Sequence, residues 1–250
     1  MNLLIKLILV ISSIKNFHQA ILDRLGLIHG EVVYNLRNNT KFYARCGTED
    51  LAEIAVVASG SEYNMKNILL PKNPIIIDLG GHIGTFSIPT AKTFKDKCKI
   101  YSFEPDNKNY ELLKKNLTLN KINSVVVSNV ALSDYIGEGY LKTENMSTDA
   151  YYLSKSKNRK NCLVSTLYNE SKKYKIKEID LLKMDIEGEE YNIFKHKESL
   201  DFILKNVHYI FIEVGPAYKS SRIKKIIDKN FLTINRNKNV LTLENLNWKN

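Results

Sequence analysis

The chain has 250 residues, 44% hydrophobic and 26% charged, with a formal net charge of +10. These are ordinary globular proportions, so global disorder is not indicated and one sizeable α/β domain with a short extension is expected. The charge raises nucleic acid or a membrane surface as partners, yet the lysines are scattered among asparagines and the one dense basic stretch is 155–160 (KSKNRK), near Lys172, Lys173 and Lys175. Cys46, Cys98 and Cys162 are odd in number and far apart, which argues against a disulfide framework or a zinc site and for a reducing, cytoplasmic setting.

The apolar run at 3–11 falls short of the ~20 residues a spanning helix needs, and it lacks the flanks of a signal peptide. Leu3, Leu4, Leu7, Ile8, Ile11, Ile14, Phe17, Ile21 and Leu25 recur at helical spacing, so 1–26 reads as a helix stopped at Gly26. It is expected to pack on the domain or on a second copy, with peripheral membrane attachment as the alternative. Residues 30–45 read as a hairpin turning at Asn38 and Asn39, and 48–60 as a helix started by Thr48 and Asp50. These form an extension, 1–69, ahead of a domain at 70–250. In that domain strands are expected at 74–78, 99–103, 124–130, 179–185 and 207–213, and helices at 85–95, 106–119, 188–204 and 219–230. A closing hairpin at 231–246 turns around 237–239. Alternation of this kind argues for a mostly parallel sheet with helices on both faces, and the hairpin adds an antiparallel strand.

The stretch 74–104 carries the chemistry. Ile75, Ile76 and Ile77 make a buried strand that ends in Asp78, a carboxylate that is costly there unless hydrogen-bonded or met by a ligand. Gly80, Gly81 and Gly84 then allow a tight turn and close approach of a ligand, and the next helix offers free N–H groups. With Thr85 as its cap, Pro89 falls in the first turn, where little hydrogen bonding is lost. The dinucleotide pattern G-x-G-x-x-G fails, because its first glycine would be Leu79. D-x-G-x-x-x-G does fit, at Asp78, Gly80 and Gly84. It resembles the first motif of class I S-adenosylmethionine (SAM)-dependent methyltransferases. Glu104 ends the second strand about 20 residues beyond Gly84, the spacing at which an acid accepts both ribose hydroxyls. Asp106 follows as a good N-cap.

Further segments widen the resemblance: RCGTED (45–50), SEY (61–63), NVALSD (129–134), LLKMDIEGEEYNIF (181–194) and IFIEVG (210–215). Together they resemble the FkbM family of SAM-dependent methyltransferases over about residues 40–215, with K-x-D-x-E-G at Lys183, Asp185, Glu187 and Gly188 the most distinctive mark. The resemblance implies a seven-stranded Rossmann-like sheet, SAM as cofactor, and O-methylation of sugar or polyketide hydroxyls. It also implies that Asp78, Gly80 and Gly84 form the SAM turn, that Glu104 takes the ribose, and that Val130 and Ala131 lie beside the adenine. His82 stands where the family usually has Asn. Tyr168 replaces the Asp of a Thr-Leu-Asp triplet, which puts that residue's acceptor-side role in doubt.

Methyl transfer to a hydroxyl requires alignment, desolvation and a base for the hydroxyl proton. Asp185 is the leading candidate base, Glu187 its partner, and Lys183 the cation that keeps a carboxylate ionised; a turn that only caps the next helix is the alternative. Tyr63 is placed over the methionine end of SAM or in ordinary packing, and Glu213 either acts at its strand end or seals the sheet. His196 and His208 are assigned no role. The expected acceptor is a small molecule or glycan. A tRNA or other nucleic-acid methyltransferase, suggested by FSIPTAK and NLTLNKI, and a non-catalytic SAM- or nucleotide-binding module stand as alternatives. A homo-oligomer is compatible with all three.

Overall fold

The computed structural model describes residues 11–58, 60, 63, 65–143, 151–154, 160–215, 218 and 222–248. The elements in chain order begin with α1 (Phe17–Arg24), β1 (Glu31–Asn35), β2 (Lys41–Arg45) and α2 (Asp50–Ala58). There follow β3 (Ile75–Leu79), α3 (Ser87–Thr93), β4 (Lys99–Phe103), α4 (Asn107–Asn120), β5 (Val125–Ser128) and β6 (Val130–Leu132). Next come β7 (Gly137–Thr143), β8 (Tyr151–Ser154), β9 (Lys160–Ser165), α5 (Leu167–Lys173), β10 (Ile179–Met184), α6 (Glu190–Lys195) and α7 (Lys197–Asn206). The chain closes with β11 (Val207–Glu213), α8 (Arg222–Asn230), β12 (Phe231–Asn237) and β13 (Val240–Asn245).

Seven strands form the main sheet in the order β12-β13-β11-β10-β3-β4-β5. The run β11-β10-β3-β4-β5 is parallel, and β13 joins β11 antiparallel. The isoleucine-rich β3 lies near the centre, with Ile76, Ile77, Asp78 and Leu79 all buried. Apolar side chains fill both faces, as parallel strands covered by helices require. One face packs Leu182, Met184, Ile210 and Ile212 against Phe194, Ile203 and Ile227. The other packs Ile76, Ile100 and Phe211 against Phe86 and Ala91.

Several boundaries differ from expectation. The helical run expected over 1–26 is interrupted at Ile14, which forms a β-bridge with Leu36, and residues 1–10 lie outside the described residues. Asn16 fixes this crossing, accepting from Asn35 N and donating to Val33 O, both at 2.8 Å. The strand expected at 124–130 breaks at Asn129. There the carboxamide donates to the carbonyls of Glu104 and Pro105, at 2.8 and 3.1 Å, and the chain leaves the main sheet. It enters a separate four-stranded sheet, β6-β9-β7-β8, which periodicity did not disclose. The helix expected at 188–204 is two helices, because His196 is extended and its Nδ1 caps α7 by accepting from Ser199 N. Phe86 rather than Thr85 precedes α3, and Pro89 still falls in the first turn, as its missing N–H demands.

The N-terminal hairpin packs on α4 through Tyr34, Phe42, Leu112 and Leu117. Asn116 bolts the two together. It is fully buried, accepts from Tyr43 N at 2.7 Å and donates to the carbonyls of Tyr43 and Ile83. Asn116→Leu strands these backbone groups without partners, at a cost of about 2–3 kcal/mol. Chemical denaturation should show a loss of that size. An unchanged midpoint would dismiss Asn116 as the bolt.

Candidate functional site: a carboxylate-lined cleft at the strand ends

The carboxyl ends of β3, β4, β10 and β11 open into one cleft.

The turn after β3 shapes its floor. Gly80 and Gly84 have φ of +81° and +95°, the left-handed region glycine prefers. A Cβ on Gly80 would lie 2.0 Å from the Asp185 carbonyl oxygen, and one on Gly81 2.2 Å from Ser102 Oγ. The glycines are therefore demanded by the protein's own packing as much as by a ligand. Gly80 and His82 line the cleft, whereas Gly81, Gly84 and Asp78 stand behind its wall. Asp78 accepts from Ser87 Oγ at 2.6 Å and lies 3.3 Å from Lys183 Nζ, so this strand-end acid anchors the turn from beneath.

Lys183 is nearly buried. Its ammonium donates to the carbonyls of Gly80 at 2.8 Å and Leu79 at 3.1 Å, and lies 3.7 Å from Asp185 Oδ2. The lysine of the K-x-D-x-E-G strand thus crosses to β3 and holds the glycine turn. Asp185 accepts from the Tyr63 hydroxyl at 2.7 Å. Burial raises its pKa, but Lys183, hydrogen bonds from Glu213 and Tyr63, and the charge of His82 outweigh this and hold it below the usual carboxylate range. Glu213, on the neighbouring strand, moves the opposite way. Its hydrogen bond to Asp185, then burial and the charges of Asp185, Glu187 and Glu190, push it up.

Glu187 lines the cleft with left-handed backbone (φ 55°), but the carboxyl group against Asp185 is that of Glu213. The D-x-E-G turn gives α6 no side-chain cap hydrogen bond. Glu190 accepts from Ile186 N at 2.7 Å and Gly188 N at 2.8 Å, closing the D-x-E-G turn. Burial dominates there, pushing Glu190 up to about 7.

At the other end Glu104 is 4% exposed, and each oxygen already has one backbone partner: His82 N at 2.8 Å and Asp106 N at 2.9 Å. A carboxylate oxygen accepts more than one hydrogen bond, so both remain able to take vicinal hydroxyls of a ribose. Beside it Pro105, Val130, Ala131, Leu132, Leu141 and Leu153 form an apolar slot suited to a base ring. Leu141 and Leu153 belong to the second sheet, which sequence periodicity missed. These donors and surfaces suit the chemistry of SAM, whose ribose would meet Glu104, its adenine the slot, its amino-acid part the glycine turn and its cationic sulfur the Asp185 end.

The RCGTED segment serves this floor indirectly. Arg45 grips Asp50 in bidentate fashion at 2.7 and 2.8 Å, and His82 Nε2 lies 3.4 Å from the same carboxylate. Burial pulls His82 down, but Asp50, with the charges of Glu104 and Glu53, more than reverses this and raises its pKa. His82 therefore ties the N-terminal unit to the cofactor turn, a role asparagine would not fill. Tyr168 is absent from the cleft lining and sits on α5, whose cap is Thr166. Of the basic stretch 155–160, residues 155–159 lie outside the described residues.

Fold and site together match the arrangement expected of a class I methyltransferase domain. A family model, the methyltransferase FkbM domain, matches residues 78–233, more than half of the chain, and the chain belongs to that family. It is similar to the tRNA (guanine(37)-N(1))-methyltransferase of Heterostelium pallidum, 24% identical over 123 residues that cover 48% of this chain and 27% of that protein. It also resembles methyltransferase sdnD of Sordaria araneosa, 41% identical over 58 residues, 23% of this chain and 21% of that one. The crystal structure of methyltransferase FkbM from Methylobacillus flagellatus superposes with a TM-score of 0.53 at 15% identity, covering 77% of this chain and 53% of that chain. The chain thus spans about a quarter of the length of the two curated relatives and about half of the matched structure. Among the described residues no helix is long and apolar enough to cross a membrane, and no cluster of His, Cys, Asp and Glu is arranged to hold a metal.

Removing the Glu104 carboxylate deletes charge-assisted hydrogen bonds worth about 1.5–3 kcal/mol. Glu104→Ala should therefore weaken S-adenosylhomocysteine binding about 10- to 100-fold by calorimetry, and an unaltered affinity would remove Glu104 from the ribose site. His82 has a raised folded pKa, so its contribution to stability is complete below the free imidazole value of about 6.5 and disappears as pH rises through the folded value. His82→Asn keeps a residue tolerant of φ 46° but removes the charge. The wild-type minus variant stability difference should shrink from acid to alkaline pH, and a pH-independent difference would refute the ion pair.

Proposed function

We propose that this protein transfers the methyl group of SAM to a hydroxyl of an uncharged small molecule or glycan, with Asp185 as the base. The observation that carries this reading is the charge of the cleft. Glu53, Glu104, Asp185, Glu187, Glu189 and Glu213 line it, against Lys183 and His82. The overall charge of +10 is thus located elsewhere on the molecule. An acid-lined cleft disfavours a phosphorylated acceptor, whereas carboxylates are good acceptors for sugar-like hydroxyls.

When bound, the cofactor supplies a methyl group activated by a positively charged sulfur that departs neutral, so no acid is required on the leaving side. The protein's tasks are to align the acceptor oxygen, exclude water, and receive one proton. Tyr63 and Lys183 hold the Asp185 carboxylate in place and ionised. Such a carboxylate is a weak base, but the hydroxyl proton becomes strongly acidic as the oxygen acquires the methyl group. Late transfer to Asp185 is then downhill. Tyr63 packs edge-on to Phe86 at 5.3 Å and tilted on Phe211 at 5.6 Å, an aromatic wall that keeps this end dry.

Nucleic-acid methylation is the second reading, supported by the similarity to the tRNA methyltransferase and by the overall charge. A tritium-transfer assay with labelled SAM separates the two. Uncharged methyl glycosides should be labelled, bulk tRNA and sugar phosphates should not, and preferential labelling of tRNA would overturn the first reading. On a competent acceptor, Asp185→Asn should lower kcat about 10²- to 10⁴-fold while S-adenosylhomocysteine affinity stays within a few-fold. Full turnover by the variant would dismiss Asp185 as base.

A further inference from the structure

We propose that Asp185 and Glu213 form a single proton-sharing pair, with Glu213 carrying the proton, and that this pair is the protein's sensor for the positive charge of the cofactor's sulfur. The inference rests on SAM being the cofactor, not on any particular acceptor.

The geometry begins with strand register. β10 and β11 run parallel with Met184 opposite Ile212, so the next residues, Asp185 and Glu213, leave the sheet side by side. Both line the cleft, and each carboxyl group acts directly on the charge of the other. Two carboxylates so close resist ionising together, and one proton between them relieves the repulsion. The surrounding charges decide which oxygen keeps it. Lys183, on β10, is shared between Asp78 Oδ1 at 3.3 Å and Asp185 Oδ2 at 3.7 Å. The Tyr63 hydroxyl adds a donor to Asp185 from the segment before β3, and His82 adds positive charge from the glycine turn. Glu213 instead faces Glu187 and Glu190 from the turn after β10. Lys183, Tyr63 and His82 thus favour charge on Asp185, while Glu187 and Glu190 disfavour it on Glu213.

Near neutral pH the pair therefore carries one negative charge and one proton. A cation placed at this end of the cleft stabilises the doubly ionised form, so binding it draws the shared proton off to solvent; a neutral ligand of the same shape does not. SAM and S-adenosylhomocysteine are such a pair of ligands, differing by one methyl group and one positive charge. In turnover the chemistry balances: the acceptor's hydroxyl proton is taken up by the pair, and the positive charge is lost as the methyl group leaves sulfur. The pair returns to its singly protonated state without an oxidant, reductant or further reactant.

The test is calorimetric and needs no acceptor. Binding heats for SAM and for S-adenosylhomocysteine are measured near neutral pH, in two buffers of different ionisation enthalpy, which gives the protons released per ligand. Wild type should release an additional fraction of a proton with SAM, and Glu213→Gln, which keeps a donor toward Asp185 but cannot ionise, should lose that excess. Titration of the ligand's own amino group is the same for both proteins and cancels in the comparison. Asp185→Asn serves as a second variant; it should lose the excess and also the preference for SAM over S-adenosylhomocysteine. Equal release for the two ligands in wild type, or an excess that survives Glu213→Gln, would overturn the proposal. If S-adenosylhomocysteine failed to bind wild type at all, the cofactor assignment would fall instead, so the two failures are distinguishable.

Discussion

The ammonium of Lys183 is the constraint on which the site depends. A buried cation is tolerated only if its charge and donors are matched. Here the matching groups are the carbonyls of Leu79 and Gly80, the carboxylate of Asp78 and, more distantly, that of Asp185. Satisfying one lysine fixes the end of β3, the start of the glycine turn and the charge of the proposed base in a single arrangement. Removing it would leave Asp78 as an uncompensated buried charge, a defect that commonly costs about 3–5 kcal/mol.

From that point order spreads outward through polar ties. The turn held by Lys183 presents the His82 amide to Glu104, and Glu104 in turn accepts from the amide of Asp106, the N-cap of α4. On the opposite side His82 meets Asp50, which Arg45 clasps from the end of the hairpin. The N-terminal unit is therefore part of the cleft's support as well as an extension to the domain. Glu53 and Val57 of α2 even reach the cleft lining. The acidic character of the cleft has the same origin: among the described residues the lysine of its lining is committed to the carbonyls of Leu79 and Gly80, and six carboxyl groups share the lining with it.

How legible each part was depended on whether its cause was local. Asp106 as a cap, Asn39 at the hairpin turn with φ 64° and the strand at Ile75–Leu79 follow from side chains acting on their own backbone. The second sheet was invisible because its pairings depend on chain distant in sequence: β6 pairs with β9 across more than 30 residues, and β7 with both β8 and β9. The break at His196 was hidden because histidine is a rare cap and the apolar spacing continues through it. Glu190 looked like one more acid on a helix, and only its two backbone partners reveal it as the residue that closes the turn.

By itself the sequence determined the cofactor class. Strand-end acids, glycines and the K-x-D-x-E-G segment recur at fixed spacing because each serves a local backbone geometry that a linear pattern records. It did not determine which carboxylate faces Asp185, since Glu187 is two residues away in the chain and Glu213 is 28. Parallel pairing of β10 with β11 made that choice, because adjacent strands in register bring their ends together whatever their distance in sequence. The same pairing set two ordinary acids on separate strands side by side, which is the basis of the proton sharing proposed for them.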